Sequence, residues 1–230
     1  MKKVRRKLLF IILINILNAQ SVKFIYLFDT SGTFQGTALK QSLKKSEEFF
    51  NIAIDNINAY PQSHNISLID AQSIKIGGWD KCDGIPVNKK GVFKLVDREP
   101  DKKAFKKCLN LVKNDPIAPL TDITGAFINA ANALQSKNLR GKGILIFSDL
   151  KEEGSPYSGS IANLKGTSVY VIYEYPNEQG RKKDIAGTEK NKDKLTDFLL
   201  RSGVTKKNIE MRHIQSAKAE RITKFFIESF

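Results

Sequence analysis

Two aspartates, Asp29 and Asp149, each close a run of β-branched and aromatic residues, VKFIYLF ahead of the first and GILIFS ahead of the second. Hydroxyls gather in the same neighbourhoods. Thr30, Ser31 and Thr33 follow Asp29, and Thr121 opens an apolar stretch with helical spacing. Two carboxylates and the hydroxyls of Ser31, Thr33 and Thr121 form an all-oxygen donor set, which suits a hard divalent cation such as Mg²⁺ or Mn²⁺. Soft and histidine-favouring metals are not served: the chain has two histidines and two cysteines, and no His lies near either Cys.

The elements that must position these residues follow from hydrophobic period. Val22 to Phe28 is a nearly continuous apolar run, as expected of a central strand buried on both faces of a parallel sheet. Residues 38 to 60 repeat apolar positions at helical spacing (Leu39, Leu43, Phe50, Ile54, Ile57) before Pro61 stops them. Residues 65 to 76 read as one strand or a short strand pair. Residues 77 to 98 are rich in turn residues and read as an insertion or a hairpin. A Lys-rich amphipathic helix is predicted over 101–114 and a second helix over 121–139, the latter opened by its own capping residue. Strands are predicted at 143–147, 168–173 and 209–214, a short helix at 160–164, and helices at 194–202 and 217–229. Residues 177 to 190 read as a polar loop. Strands alternating with helices define an α/β chain with a mostly parallel central sheet, Rossmann-like, flanked by helices on both faces. In such sheets ligands bind beyond the carboxyl ends of the strands, which is where both aspartates fall.

The order strand–DTSGT–helix, then LTDITGAF opening a helix, then ILIFSD closing a strand, resembles the von Willebrand factor A (vWA) domain family and its metal-ion-dependent adhesion site (MIDAS), D-x-S-x-[ST] followed by a Thr and an Asp. The resemblance covers about residues 22 to 230. It implies a metal set of Asp29, Ser31, Thr33, Thr121 and Asp149. It also implies a protein-binding role in which a Glu or Asp of a partner completes the cation's octahedral shell. Thr124 is a second choice for the middle hydroxyl. Two departures stand out: Pro119-Leu120 precedes the middle Thr where the family often has small residues, and Leu150 follows the last Asp where it often has Gly.

Other chemistries fit less well. Haloacid-dehalogenase-like phosphatases also keep an Asp at the end of the first strand, but their D-x-D-x-[TV] pattern needs a second Asp where this chain has Ser31. Neither phosphate-loop glycine motif follows a strand, and no Ser or Cys is paired with His at recognisable spacing. The expectation is a non-enzymatic binding module. The alternative is a metal-independent structural or assembly subunit of a cell-envelope or secretion machine.

Composition and the amino terminus bear on compartment. The chain has 230 residues, 41% hydrophobic and 27% charged, enough for one sizeable core and too apolar for a disordered tail. Lys2, Lys3, Arg5, Arg6 and Lys7 precede the apolar run LLFIILINIL, and Ala19 offers a small residue for cleavage. This is the pattern of a secretory signal peptide over 1–19, and a run of about ten residues is short of the roughly 20 a spanning helix needs. Retention as an anchor is the weaker reading. The expected mature domain is 20–230, periplasmic or secreted, with no stable membrane span. Losing the five leader cations lowers the formal charge from +14, and the remaining Lys and Arg are scattered without interleaved aromatics, so nucleic acid is not an expected partner. In an oxidising compartment the two cysteines predict a Cys82–Cys108 disulfide, against free buried thiols. Trp79, beside Gly77-Gly78, is either a partner contact or folded back on the core.

Overall fold

The computed structural model describes residues 21–55, 62–69, 80–87, 98–135, 139–153, 157, 161–176 and 184–230. The signal-peptide segment, Trp79 and most of 77–98 lie outside these residues. The elements in chain order are β1 (Ser21–Asp29), α1 (Thr37–Asp55), β2 (Gln62–Ile69), β3 (Asp80–Val87), α2 (Glu99–Lys113), α3 (Ile123–Ala133), β4 (Leu139–Ser148), β5 (Thr167–Tyr173), α4 (Ile185–Arg201), a 3₁₀ turn (Lys206–Asn208), β6 (Ile209–His213) and α5 (Ala219–Ser229).

The strands form one sheet in the order β3-β2-β1-β4-β5-β6. All neighbours are parallel except β3, which runs antiparallel to β2 at the edge. The chain is therefore α/β and Rossmann-like, as its strand–helix alternation requires. β1 feeds β2 on one side, and the chain later returns to lay β4 on the other. The crevice between the ends of β1 and β4 is thus the topological switch point.

Side-chain alternation along β1 divides the core. Val22, Phe24, Tyr26 and Phe28 face α1, α2 and α5, while Ile25 and Leu27 face α3 and α4. On the first face the Phe24 ring packs edge-on against Phe49 at 5.4 Å and Phe226 at 5.0 Å. Its register partner on β4 is Gly143, where a Cβ would lie 2.5 Å from Phe24 Cδ1. The glycine makes room for the ring in the sheet that carries the site.

Several expectations need correction. Residues 161–164 form no helix; Leu164 instead donates its N–H to the Ser202 carbonyl, tying the segment to the end of α4. Helix α4 starts at Ile185, well inside the stretch read as a loop. Asp184 accepts the Gly187 N–H at 2.8 Å and starts a helix whose exposed face is simply polar. β3 lies within the 77–98 stretch read as an insertion or a hairpin, and it pairs antiparallel with β2 as one arm of a hairpin does. Its Gly84 and Pro86 are turn-formers in sequence but are tolerated on an edge strand whose second side needs no partner.

Candidate functional site

Asp29 ends β1 and is fully buried. Its Oδ1 accepts the backbone N–H of Ser31 at 2.9 Å and the Thr121 hydroxyl at 3.3 Å, and its Oδ2 accepts the Ser148 hydroxyl at 2.7 Å. The first contact is an Asx turn, which directs the chain away from the strand and sets the loop that follows. In that loop the Ser31 and Thr33 hydroxyls lie 3.3 Å apart. The loop is pinned from outside by Ala118, whose N–H donates to the Thr30 carbonyl at 3.0 Å, and by the Gln35 amide on the same oxygen at 2.9 Å.

Asp149 follows β4 and is also buried. Its Oδ1 accepts the Lys151 N–H at 3.0 Å, while Oδ2 is buried with no hydrogen-bond partner. The intervening Leu150 has φ +64°, a left-handed conformation in which an L-residue other than Gly is strained. Its N–H donates to the Ser148 hydroxyl at 2.9 Å, and its side chain is completely buried in the α3/α4 face of the core. Leu150 thus holds a backbone conformation that favours glycine and anchors it by burial of its side chain.

Thr121 precedes α3, whose N-cap is Asp122, accepting the Gly125 N–H at 2.8 Å. The two threonines separate here. Thr121 reaches Asp29, whereas Thr124 donates both its N–H (2.9 Å) and its hydroxyl (3.3 Å) to Glu152. The five residues picked out in sequence therefore meet at one sheet edge. Two more residues join them: Ser148, visible in the FSD triplet as a fourth hydroxyl but not assigned to the site from sequence, and Glu152, whose capping role has no local sequence signature.

Both carboxylates are pushed toward the neutral form. Asp29 is raised from 3.8 to about 7, first by burial and then by the neighbouring charge of Asp149, with the hydrogen bonds from Ser31 and Ser148 pulling the other way. Asp149 is also raised, chiefly by burial, with the Thr33 hydroxyl and the Lys151 N–H opposing. Tyr157, buried close by, is pushed well above the ordinary phenol value by burial and by Glu152, Asp149 and Asp29. Two buried acids repelling one another, with one oxygen unpartnered, are costly to ionise together without a counter-ion. Among the described residues no group of three or more His, Cys, Asp and Glu converges, so a cation here would be held by hydroxyls and these two carboxylates. The residues fit Mg²⁺ or Mn²⁺ by donor type and by the unpartnered Oδ2.

No protein-family model matches the chain, and no curated protein matches it. Solved structures do. An aerotolerance-related membrane protein from Bacteroides fragilis, in a form carrying multiple mutations to serine, is 14% identical with a TM-score of 0.51, over 91% of this chain and 98% of its own. The pilus adhesin SpaC from Lactobacillus rhamnosus GG, in its open conformation, is 10% identical with a TM-score of 0.53, over 92% of this chain but only 30% of the adhesin. A von Willebrand factor type A structure from Catenulispora acidiphila is 12% identical with a TM-score of 0.49, over 91% of this chain and 42% of that one. At these identities the likeness is one of fold.

Proposed function

We propose that the chain is an exported, non-catalytic vWA-like module that uses a divalent cation at Asp29, Ser31, Thr33, Thr121 and Asp149 to engage an acidic residue of a partner protein. The observation that carries this reading is the buried, mutually repelling pair Asp29 and Asp149, with Asp149 Oδ2 unpartnered beside three hydroxyls. A bound Mg²⁺ would supply the missing positive charge and a coordination position open to a carboxylate from outside. Ser31 and Thr33 would present neutral oxygens, so that charge is not wholly neutralised from within. Asp29 would orient Ser31 and Thr121 through the hydrogen bonds it already accepts, and the Thr30–Ala118 pairing would hold the loop still. The basic, apolar leader and the cysteine pair support export, and the adhesin among the similar folds accords with a binding role.

The test is calorimetric titration of the chain from Gln20 onward with Mg²⁺ and Mn²⁺, alongside Asp29→Ala. Saturable binding that the substitution abolishes, with little change in melting temperature without metal, is the expected outcome. A wild-type protein that takes up neither ion would refute the reading. One observation favours a metal-independent assembly role instead: both Asp29 oxygens are already satisfied by internal donors, so the carboxylate can serve purely as a clasp between β1, β4 and the start of α3. Under that reading Asp29→Ala unfolds the domain rather than silencing it.

A further inference from the structure

Seven large apolar side chains are exposed among the described residues, and three of them fall close together in sequence: Leu111 in the last turn of α2, and Ile117 and Leu120 in the segment between α2 and Thr121. Singly exposed apolar residues need no explanation. A cluster beside a candidate site does. Ile117 is 64% exposed although its neighbour Ala118 is buried and paired to Thr30 and Ser31, so the backbone is fixed while the side chain is held out. Its Cγ2 would lie 3.7 Å from a Cβ on Gly32, which places it directly over the Ser31–Thr33 loop. Leu120, 46% exposed, adjoins Thr121, whose hydroxyl reaches Asp29. Prolines 116 and 119 stiffen the segment that carries both.

On the α2 side this patch is bordered mainly by lysines, with Asp115 the acidic residue between Lys113 and Ile117. Lys107 lies one helical turn before Leu111 and Lys103 one turn before that, while Lys113 closes the helix. All three lysines are exposed and make no ion pair among the described residues, whereas Lys102 and Lys106 are paired with acidic side chains. The C-terminal end of α2 leads straight into the segment paired with the Ser31 loop, so an apolar patch with a cationic border lies on one flank of the metal residues.

Resting on the metal-site reading, we infer that the partner segment carries an apolar residue next to its metal-seeking carboxylate, seated on Ile117 and Leu120, and further acidic residues that run along Lys107 and Lys103, which share one face of α2 with Leu111. Apolar contact would fix which carboxylate of an acidic segment reaches the cation, and the lysines would favour acidic over neutral segments by long-range attraction.

The probes are dye-labelled synthetic peptides containing one Glu, flanked by Leu or by Ser, with either an Asp-rich or a Lys-rich tail, titrated in Mg²⁺ and followed by fluorescence anisotropy. The Leu, Asp-tailed peptide is expected to bind about tenfold tighter than its Ser counterpart, a difference of the size one buried apolar side chain gives. Ile117→Ser combined with Leu120→Ser should erase that preference while leaving calorimetric Mg²⁺ affinity unchanged. Lys103→Glu with Lys107→Glu should erase the preference for the Asp-rich tail. Mg²⁺ uptake without binding of the Leu, Asp-tailed peptide, or Mg²⁺-dependent peptide binding indifferent to Leu and to both pairs of substitutions, would overturn the inference and spare the metal site. Absence of Mg²⁺ uptake itself would overturn the metal-site reading beneath it.

Discussion

Asp29 has two demands on it that pull in opposite directions with pH. Burial and the charge of Asp149 raise its folded value to about 7, against 3.8 ordinarily, so folding favours the protonated acid. For an acid raised in this way the stabilisation is complete below about pH 4 and is lost as pH rises through about 7. The metal-free protein should therefore lose stability across that window and take up a proton on folding near pH 6. A cation needs the ionised form, so the rise in melting temperature caused by Mg²⁺ should be slight at pH 5 and grow toward pH 8. Thermal melts at several pH values, with Mg²⁺ and with chelator, measure both trends. A metal-free melting temperature that does not fall between pH 5 and 8 would show that Asp29 is not held neutral by its surroundings.

At the scale of elements, the turn after β4 keeps a glycine-like backbone without a glycine. Leu150 occupies a backbone region that costs a non-glycine residue about 1–2 kcal/mol, but its side chain is fully buried. Truncating a buried Leu costs about 2–5 kcal/mol. Leu150→Gly should then be a net loss of about 1–3 kcal/mol by denaturant unfolding, with Mg²⁺ affinity little changed because the backbone turn is preserved. A stabilised Leu150→Gly protein would mean that strain outweighs packing. The same turn marks what could be read from sequence. The strands that run into Asp29 and Asp149 and the helix that starts after Thr121 were legible because each carries a strong period and a polar residue at its boundary. The first half of α4 and the tie at Leu164 were not, because an exposed helical face written in Lys, Asn and Glu looks like a loop until its N-cap at Asp184 is seen. The Glu152 clasp on Thr124 was illegible for a different reason: residues 28 positions apart meet only after β4 is laid against β1.

At the scale of the whole molecule, the weakest part of the sheet is its β3 edge, joined to the rest by one irregular antiparallel ladder. Cys108, on the buried side of α2, is disulfide-bonded, and α2 packs against β3. With two cysteines in the chain, we take its partner to be Cys82 in β3. Such a bridge closes a loop of about 26 residues, for which loop-closure entropy gives about 3.5 kcal/mol of stabilisation. The edge strand and the helix leading toward the Ser31 loop would then be fastened together in an oxidising compartment and loosened in a reducing one. Non-reducing peptide mapping should show the Cys82–Cys108 link in protein made with an export signal. Reduction, or Cys108→Ser, should lower the melting temperature while leaving Mg²⁺ affinity intact, because Asp29, Asp149 and Thr121 are held by β1, β4 and α3 on the far side of β2. Loss of Mg²⁺ binding on reduction would instead mean that the α2 segment, through Ala118 and Thr30, sets the geometry of the metal loop, and that the redox state of the edge governs the site.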